Sequence, residues 1–239
     1  MYVCLLHLRT CQLIGFITVQ SLVSASGAFD NVYFYGANLL PSEDQYPIGA
    51  SLMFFRLFHH RRIGGVYDVI FLMESDCHIC QGNWLRALTS RARTASGVGA
   101  AGEHIVEQYA HASSPSAAWW MMGTITRTGD ELLSTYTFAD HLNGNALYHV
   151  GDKDFANFIA RLEADFLEDP AKYVHCYDIA LYNFRRDRSV FSFKEYGDTL
   201  HKFVYTNLVQ NYFRTEVSAE QVCRESPETY FVHGRNVIV

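Results

Sequence analysis

The chain has no block of basic residues: Arg61-Arg62 and Arg185-Arg186-Asp187-Arg188 are short, and the net charge is −6. Nucleic acid is therefore not the expected partner, because that partner needs a basic patch or stripe. Nor does any uninterrupted apolar run reach the ~18 residues of a membrane-spanning helix. Residues 12–26 resemble a signal peptide in having an apolar Leu13–Val23 before small Ser24-Ala25-Ser26, but Gln12, Thr18, Gln20 and Ser21 interrupt them and the basic start is weak. The segment reads better as a helix. No N-x-[ST] sequon occurs, which fits a cytoplasmic protein or one of the Golgi or endoplasmic-reticulum lumen. Cysteine is sparse, at six residues. Cys77 and Cys80 frame His78 in a C-x-x-C, yet no second pair stands at metal-ligand spacing, so a structural zinc is not favoured. Thioredoxin context is missing too, which leaves buried or loop thiols as the reading.

What remains is an ordinary globular composition, 49% hydrophobic and 18% charged, which excludes disorder. A chain of 239 residues supports one large domain over 1–239 with a substantial core. The aromatic share of 15% suits stacking on sugars or bases, and bulky cores account for it equally well.

The most informative stretch runs from Tyr67 to Leu85. Val69 to Met73 is a short apolar run without charge, as in a strand buried on both faces of a sheet. Glu74, Ser75 and Asp76 come next. A buried parallel strand delivers the residues after its carboxyl end to the crevice where open α/β sheets bind ligands. Carboxylate oxygens suit hard divalent cations, which often bridge protein carboxylates to a substrate diphosphate. Glu74 and Asp76 are thus candidate metal ligands; the alternative is an acidic loop in which Asp76 caps a helix starting near Gly82 to Arg86.

Tyr2 to Leu8 reads as a strand, Ile14 to Ala25 as a helix ended by Gly27, and Asn31 to Tyr35 as the next strand. Such a β-α-β opening predicts a parallel pair with a right-handed crossover. Leu52 to Phe58 and Trp84 to Ala92 read as helices. Thr94 to Ala118 is Gly/Ala/Ser-rich, a loop or short helical insertion placed to act as a lid. Trp119 to Arg127 returns to strand-like composition, with Trp119 and Trp120 as core residues or sugar-stacking platforms. His141 to Val150 is a polar H-x-N-G-N turn running into an apolar segment. Asp152 to Leu167 has a helical stripe of Phe155, Phe158, Ile159, Leu162 and Phe166. A further helix opens at Tyr177-Asp178, with Asp178 at the N-cap position. Phe203 to Phe213 reads as helix-like, and Thr229 to Val232 as a closing strand before His233-Gly234.

In this order the pieces resemble the GT-A fold of nucleotide-sugar glycosyltransferases. The β-α-β opening, Glu74-Ser75-Asp76, the turn at Asn143-Gly144-Asn145, the helix start Tyr177-Asp178-Ile179-Ala180-Leu181 and the late His233 carry the resemblance, over about residues 2–235. It implies an α/β fold with a mixed, mostly parallel, Rossmann-like sheet flanked by helices. It also implies Mn²⁺ or Mg²⁺ held by Asp76, Glu74 and His233, and a UDP- or GDP-sugar donor. Inverting enzymes similar to the large family-2 group carry an E-D pair at a helix start, followed by x-x-L and often an arginine; here this reads Tyr177-Asp178-Ile179-Ala180-Leu181 with Arg185 beyond, and Tyr177 replaces the Glu, leaving Asp178 as the catalytic base. No Q-x-x-R-W signature of processive polymerases is present, so single-sugar transfer to a glycan, protein or small-molecule hydroxyl is expected.

Within that resemblance, Arg9, Thr10 and Asn38 are placed to meet nucleotide base and ribose. His141, Asn143 and Asn145 are placed to hydrogen-bond donor sugar or acceptor, while Gly144 permits close backbone approach. Two other readings stand beside it. A sugar-nucleotide pyrophosphorylase would need a glycine-rich phosphate loop after the first strand, and His7-Leu8-Arg9-Thr10-Cys11 has no glycine. A degenerate GT-A fold that binds carbohydrate or a partner without catalysis would not need Asp76, Asp178 and His233.

Overall fold

Ile70–Glu74 forms strand β2, and its alternate side chains enter different cores. Ile70 and Leu72 pack into one hydrophobic cluster, Phe71 and Met73 into another, so the strand is covered on both faces as its apolar run predicts. The computed structural model describes residues 4–7, 38–60, 63, 65–74, 76–95, 119–127, 141–173, 175–187, 189–212, 216–234 and 237–238. Arg9 and Thr10, the helix expected over Ile14–Ala25, the strand expected over Asn31–Tyr35 and the stretch 96–118 lie outside the described residues.

The molecule is α/β, with small mixed sheets and helices. The main sheet has the order β1 (Cys4–His7), β2, β6 (Leu147–Tyr148), β4 (Met121–Gly123), β7 (Phe203–Tyr205). β1 and β2 are parallel, as are β4 and β7, whereas β6 is antiparallel to both β2 and β4. Four strands therefore share one direction and β6 is reversed. A second sheet has the order β3 (Cys77–Ile79), β10 (Phe231–His233), β8 (Val209–Tyr212), β5 (Thr126–Arg127). β9 (Val217–Ser218) and β11 (Val237–Ile238) make a short parallel pair.

Helices α1 (Ile48–His59), α3 (Lys153–Glu168) and α4 (Tyr177–Arg186) cover one face of the main sheet. The stripe expected on α3 is buried in full, and each such side chain contributes roughly 1.5–3 kcal/mol. Asp152 caps α3 by accepting from Asp154 N and Phe155 N, both at 2.9 Å, which stabilises the helix by ~1 kcal/mol. Against the other face lie α2 (Trp84–Ala95) and side chains of the second sheet, Val209 and Phe231. Trp119 and Trp120 are both buried, in opposite cores. Helix α5 (Phe193–Leu200) carries a capping box between Ser192 and Glu195, and α6 (Ala219–Glu225) leads toward β10.

Three local expectations need correction. In the stretch expected to be helix-like from Phe203 to Phe213, the described part, Phe203 to Tyr212, is not helical: Asn207-Leu208 turn the chain between β7 and β8, which belong to two different sheets. Asp76 caps no helix, since β3 begins at the next residue. Cys80 is not a free thiol; it is bonded to Cys223, 143 residues away, while Cys77 and Cys176 keep their thiols outside any disulfide. A pairing across such a separation depends on β3 and α6 meeting in space, which C-x-x-C spacing does not encode.

Candidate metal centre

Glu74 is the last residue of β2, and by Asp76 the chain has left the main sheet to enter the second one at Cys77. The acidic triplet is thus the hinge point between two sheets. β10 pairs antiparallel with β3 in a register that sets His233 opposite Cys77, next to Asp76. His233 Nε2 lies 2.8 Å from Glu74 Oε2 and 3.2 Å from Asp76 Oδ1. One ligand atom from each residue falls within 4.8 Å of the others, so three side chains far apart in sequence form one cluster. The carboxylates remain about two-fifths exposed, at 39% and 40%, while the His233 ring is 12% exposed, so an ion could enter from the acidic side.

The surroundings orient this cluster. β10 is also parallel to β8, with His233 opposite Asn211. Asn211 Nδ2 donates to Thr124 O at 3.4 Å, which turns its Oδ1 toward His233 Nδ1 at 3.0 Å. Nδ1 must then carry the hydrogen, leaving Nε2 as the nitrogen facing the carboxylates. A histidine whose second nitrogen donates to an amide or carboxylate is the usual arrangement of a metal-bound imidazole. Burial alone would lower the His233 pKa, but hydrogen bonds to Asp76 and Glu74 outweigh it and raise it to about 9. Without a metal, a proton on Nε2 answers the two negative charges. Gly234 comes next with φ of 150°, and a Cβ there would stand 2.5 Å from Tyr212 O, so only glycine fits.

Asn145 ties the glycine turn to the same place. It is fully buried; its Oδ1 accepts from Glu74 N at 2.7 Å and from Cys77 Sγ at 3.2 Å, and its Nδ2 donates to Asn143 Oδ1 at 2.9 Å and Glu74 Oε2 at 3.4 Å. Its amide is spent inside the protein, where it positions Glu74. Asn143 Oδ1 also accepts from Asn145 N, closing the turn on itself. Gly144 is required because a Cβ would come within 2.6 Å of Tyr177 Cζ. The close approach there is to a tyrosine ring. Asn38 is exposed with φ of 50°, and no hydrogen bond joins it to the cluster among the described residues.

Asp178 stands on the other flank of the turn. The N-cap of α4 is Cys176, in extended backbone, and Asp178 is the second residue of the helix; the cap expected at Asp178 is therefore corrected to Cys176, because the helix already begins at Tyr177. Asp178 Oδ2 accepts from Gly144 N at 3.1 Å and lies 3.6 Å from His141 Nε2. Its Oδ1 accepts from Ile179 N at 2.8 Å and from Cys176 Sγ at 2.9 Å. Burial favours the neutral acid, yet His141, Cys176 and Ile179 together hold the pKa below the ordinary carboxylate value. Burial also raises the Cys176 thiol, and the neighbouring Asp178 charge adds to it, so that sulfur stays a hydrogen-bond donor.

No protein-family model, curated protein or solved structure matches the chain.

The structure thus brings Glu74, Asp76 and His233 together directly, with Asn143, Gly144 and Asn145 as the bridge from Glu74 to Asp178 and His141. Sequence reasoning missed Asn211, because the stretch holding it read as helical. It also missed that Tyr177, in place of an acid before Asp178, has a structural use. The Tyr177 ring stacks on Phe54 at 4.2 Å and lies against the glycine turn.

Proposed function

We propose that this protein is a metal-dependent glycosyltransferase of GT-A type, moving a sugar from a UDP- or GDP-linked donor to a hydroxyl acceptor. The supporting observation is the convergence of Glu74, Asp76 and His233 at the carboxyl ends of β2 and β10, the edge at which α/β sheets bind ligands. The two carboxylate oxygens suit Mn²⁺ or Mg²⁺, and the imidazole nitrogen, a softer donor, favours Mn²⁺ of the two. An ion held there supplies Lewis acidity toward a diphosphate whose charge grows as the glycosidic bond breaks. Asn211 keeps His233 Nε2 aimed at the cluster, and Asn145 keeps Glu74 from swinging away. Asp76, the most exposed member, faces outward to meet a ligand.

In this reading Asp178 is the general base of an inverting, non-processive transfer. Its depressed pKa keeps it ionised at neutral pH, and it is the one buried carboxylate among the described residues. To accept a proton it must exchange one of its present partners for the acceptor hydroxyl, and the His141 contact at 3.6 Å is the longest of them.

The test is calorimetric titration of UDP and GDP into the protein with Mn²⁺ and with EDTA. Binding is expected to be tighter with Mn²⁺, and Asp76→Ala is expected to remove the difference. Equal affinity in Mn²⁺ and EDTA for the unaltered protein would sink the metal-bridged diphosphate reading.

A further inference from the structure

Arg185, on the last turn of α4, is 3% exposed, and its Nε and Nη1 are buried without a hydrogen-bond partner. No ion pair of Arg185 exists among the described residues. Its guanidinium rests on Phe203, 4.7 Å from the ring centre, and on Tyr182 at 5.2 Å. Ring faces attract a cation, but they leave N–H donors unmet, and a desolvated charge is tolerated only with a counter-charge or full hydrogen bonding. The same side chain lines a cleft with Met121, Leu142, Asp178 and Tyr182. Asp178 does not serve as its partner, because both carboxylate oxygens are already taken by Gly144 N, Ile179 N, Cys176 Sγ and the nearby His141.

We propose that this cleft is an anion-binding site in which the Arg185 guanidinium receives a carboxylate or phosphate group. Planar guanidinium donors match the oxygens of both. The cleft is narrow: its accessible volume is ≈ 10 Å³, about what a single water molecule needs. It therefore admits one oxygen of a carboxylate or phosphate whose remainder stays outside. Leu142 and Phe203 supply the low-dielectric walls that strengthen the charge interaction. None of Glu74, Asp76 and His233 takes part, so the inference is separate from the metal-bridged diphosphate reading, although Asp178 lines the same cleft.

The test is thermal melting of the full chain in EDTA, with inorganic phosphate and acetate as probes and sodium chloride matching the ionic strength. EDTA keeps a metal from mediating the effect. A saturable rise in Tm is expected with at least one probe, phosphate alone identifying a phosphoryl site and acetate alone a carboxylate site. Arg185→Gln should abolish the rise, and Arg185→Lys, which keeps the charge but loses the planar fork, should weaken the probe at least tenfold. If Arg185→Gln does not fold, Arg185→Lys carries the comparison. No saturable rise in the unaltered protein with either probe overturns the proposal, as does an affinity unchanged by the Lys or Gln substitution.

Discussion

In the proposed reading, a proton and a metal ion would compete for the same nitrogen of His233. The folded pKa of about 9 lies above the ordinary histidine value of 6.5, so folding favours the protonated ring. Its contribution to stability in the metal-free protein is then complete below about pH 6.5 and lost as pH rises through about 9. Melting curves in EDTA from pH 6 to 10 should show this decline in the unaltered protein and not in His233→Gln; parallel curves for the two would refute the ion pair. Mn²⁺ must displace that proton, so its affinity should rise about tenfold per pH unit up to the pKa. Asp178 poses a different question, whether a carboxylate acts as base or as anchor. Asp178→Asn retains an oxygen to accept from Gly144 N but has no basicity. Transfer should drop by about 100-fold or more, the usual effect of losing a general base, with Tm nearly unchanged. A large fall in Tm with residual activity in proportion to folded protein would mean that the carboxylate only holds the turn.

At the scale of elements, the Glu74–Asp76–His233 cluster depends on β3 and β10 staying paired. The Cys80–Cys223 bond helps, because Cys80 comes directly after β3 and Cys223 lies in α6, the helix before β10. Cys80 N also donates to Tyr230 O at 2.9 Å, and Gln81 Nε2 donates to Thr229 O at 2.9 Å. Replacing both cysteines by serine should cost about 2–4 kcal/mol, the usual range for a bond closing a long loop, and should weaken Mn²⁺ binding by loosening the Asp76–His233 approach. Mn²⁺ titrations and urea melts that match those of the unaltered protein would show that strand pairing alone sets the geometry. Helices α1, α2, α3 and α4 were legible because each repeats apolar residues at helical spacing. β7 and β8 were not, since two short strands joined by a tight turn leave too few residues for an alternation to register against the aromatic content of the whole stretch.

For the whole molecule, the cluster lies where the chain crosses from the five-stranded sheet to the four-stranded one. A metal bound there clamps both sheets in the native state and cannot bind an unfolded chain in the same way. Mn²⁺ at 100 times its dissociation constant should therefore stabilise the protein by about 2.7 kcal/mol. The rise in Tm should disappear with EDTA and in Asp76→Ala. An Mn²⁺-independent Tm would place the ion elsewhere or nowhere. The described residues include no helix long and apolar enough to cross a membrane.

The sequence by itself determined the buried strand and the acids at its end, since an apolar run too short for a helix has to be covered on both faces and the residues after it must leave at the sheet edge. It likewise determined α3, whose stripe and Asp152 cap are local properties of sixteen consecutive residues and the one before them. Only tertiary structure decided that His233 joins Glu74 and Asp76, because that depends on the register between β3 and β10. It also decided that Asn145 spends its amide on Glu74 and that Arg185 Nε and Nη1 are buried without a hydrogen-bond partner among the described residues. Spacing along the chain reports neighbours within a few residues. The partners of a buried polar atom are set by which strands lie side by side, and that is fixed by the packing of the two cores.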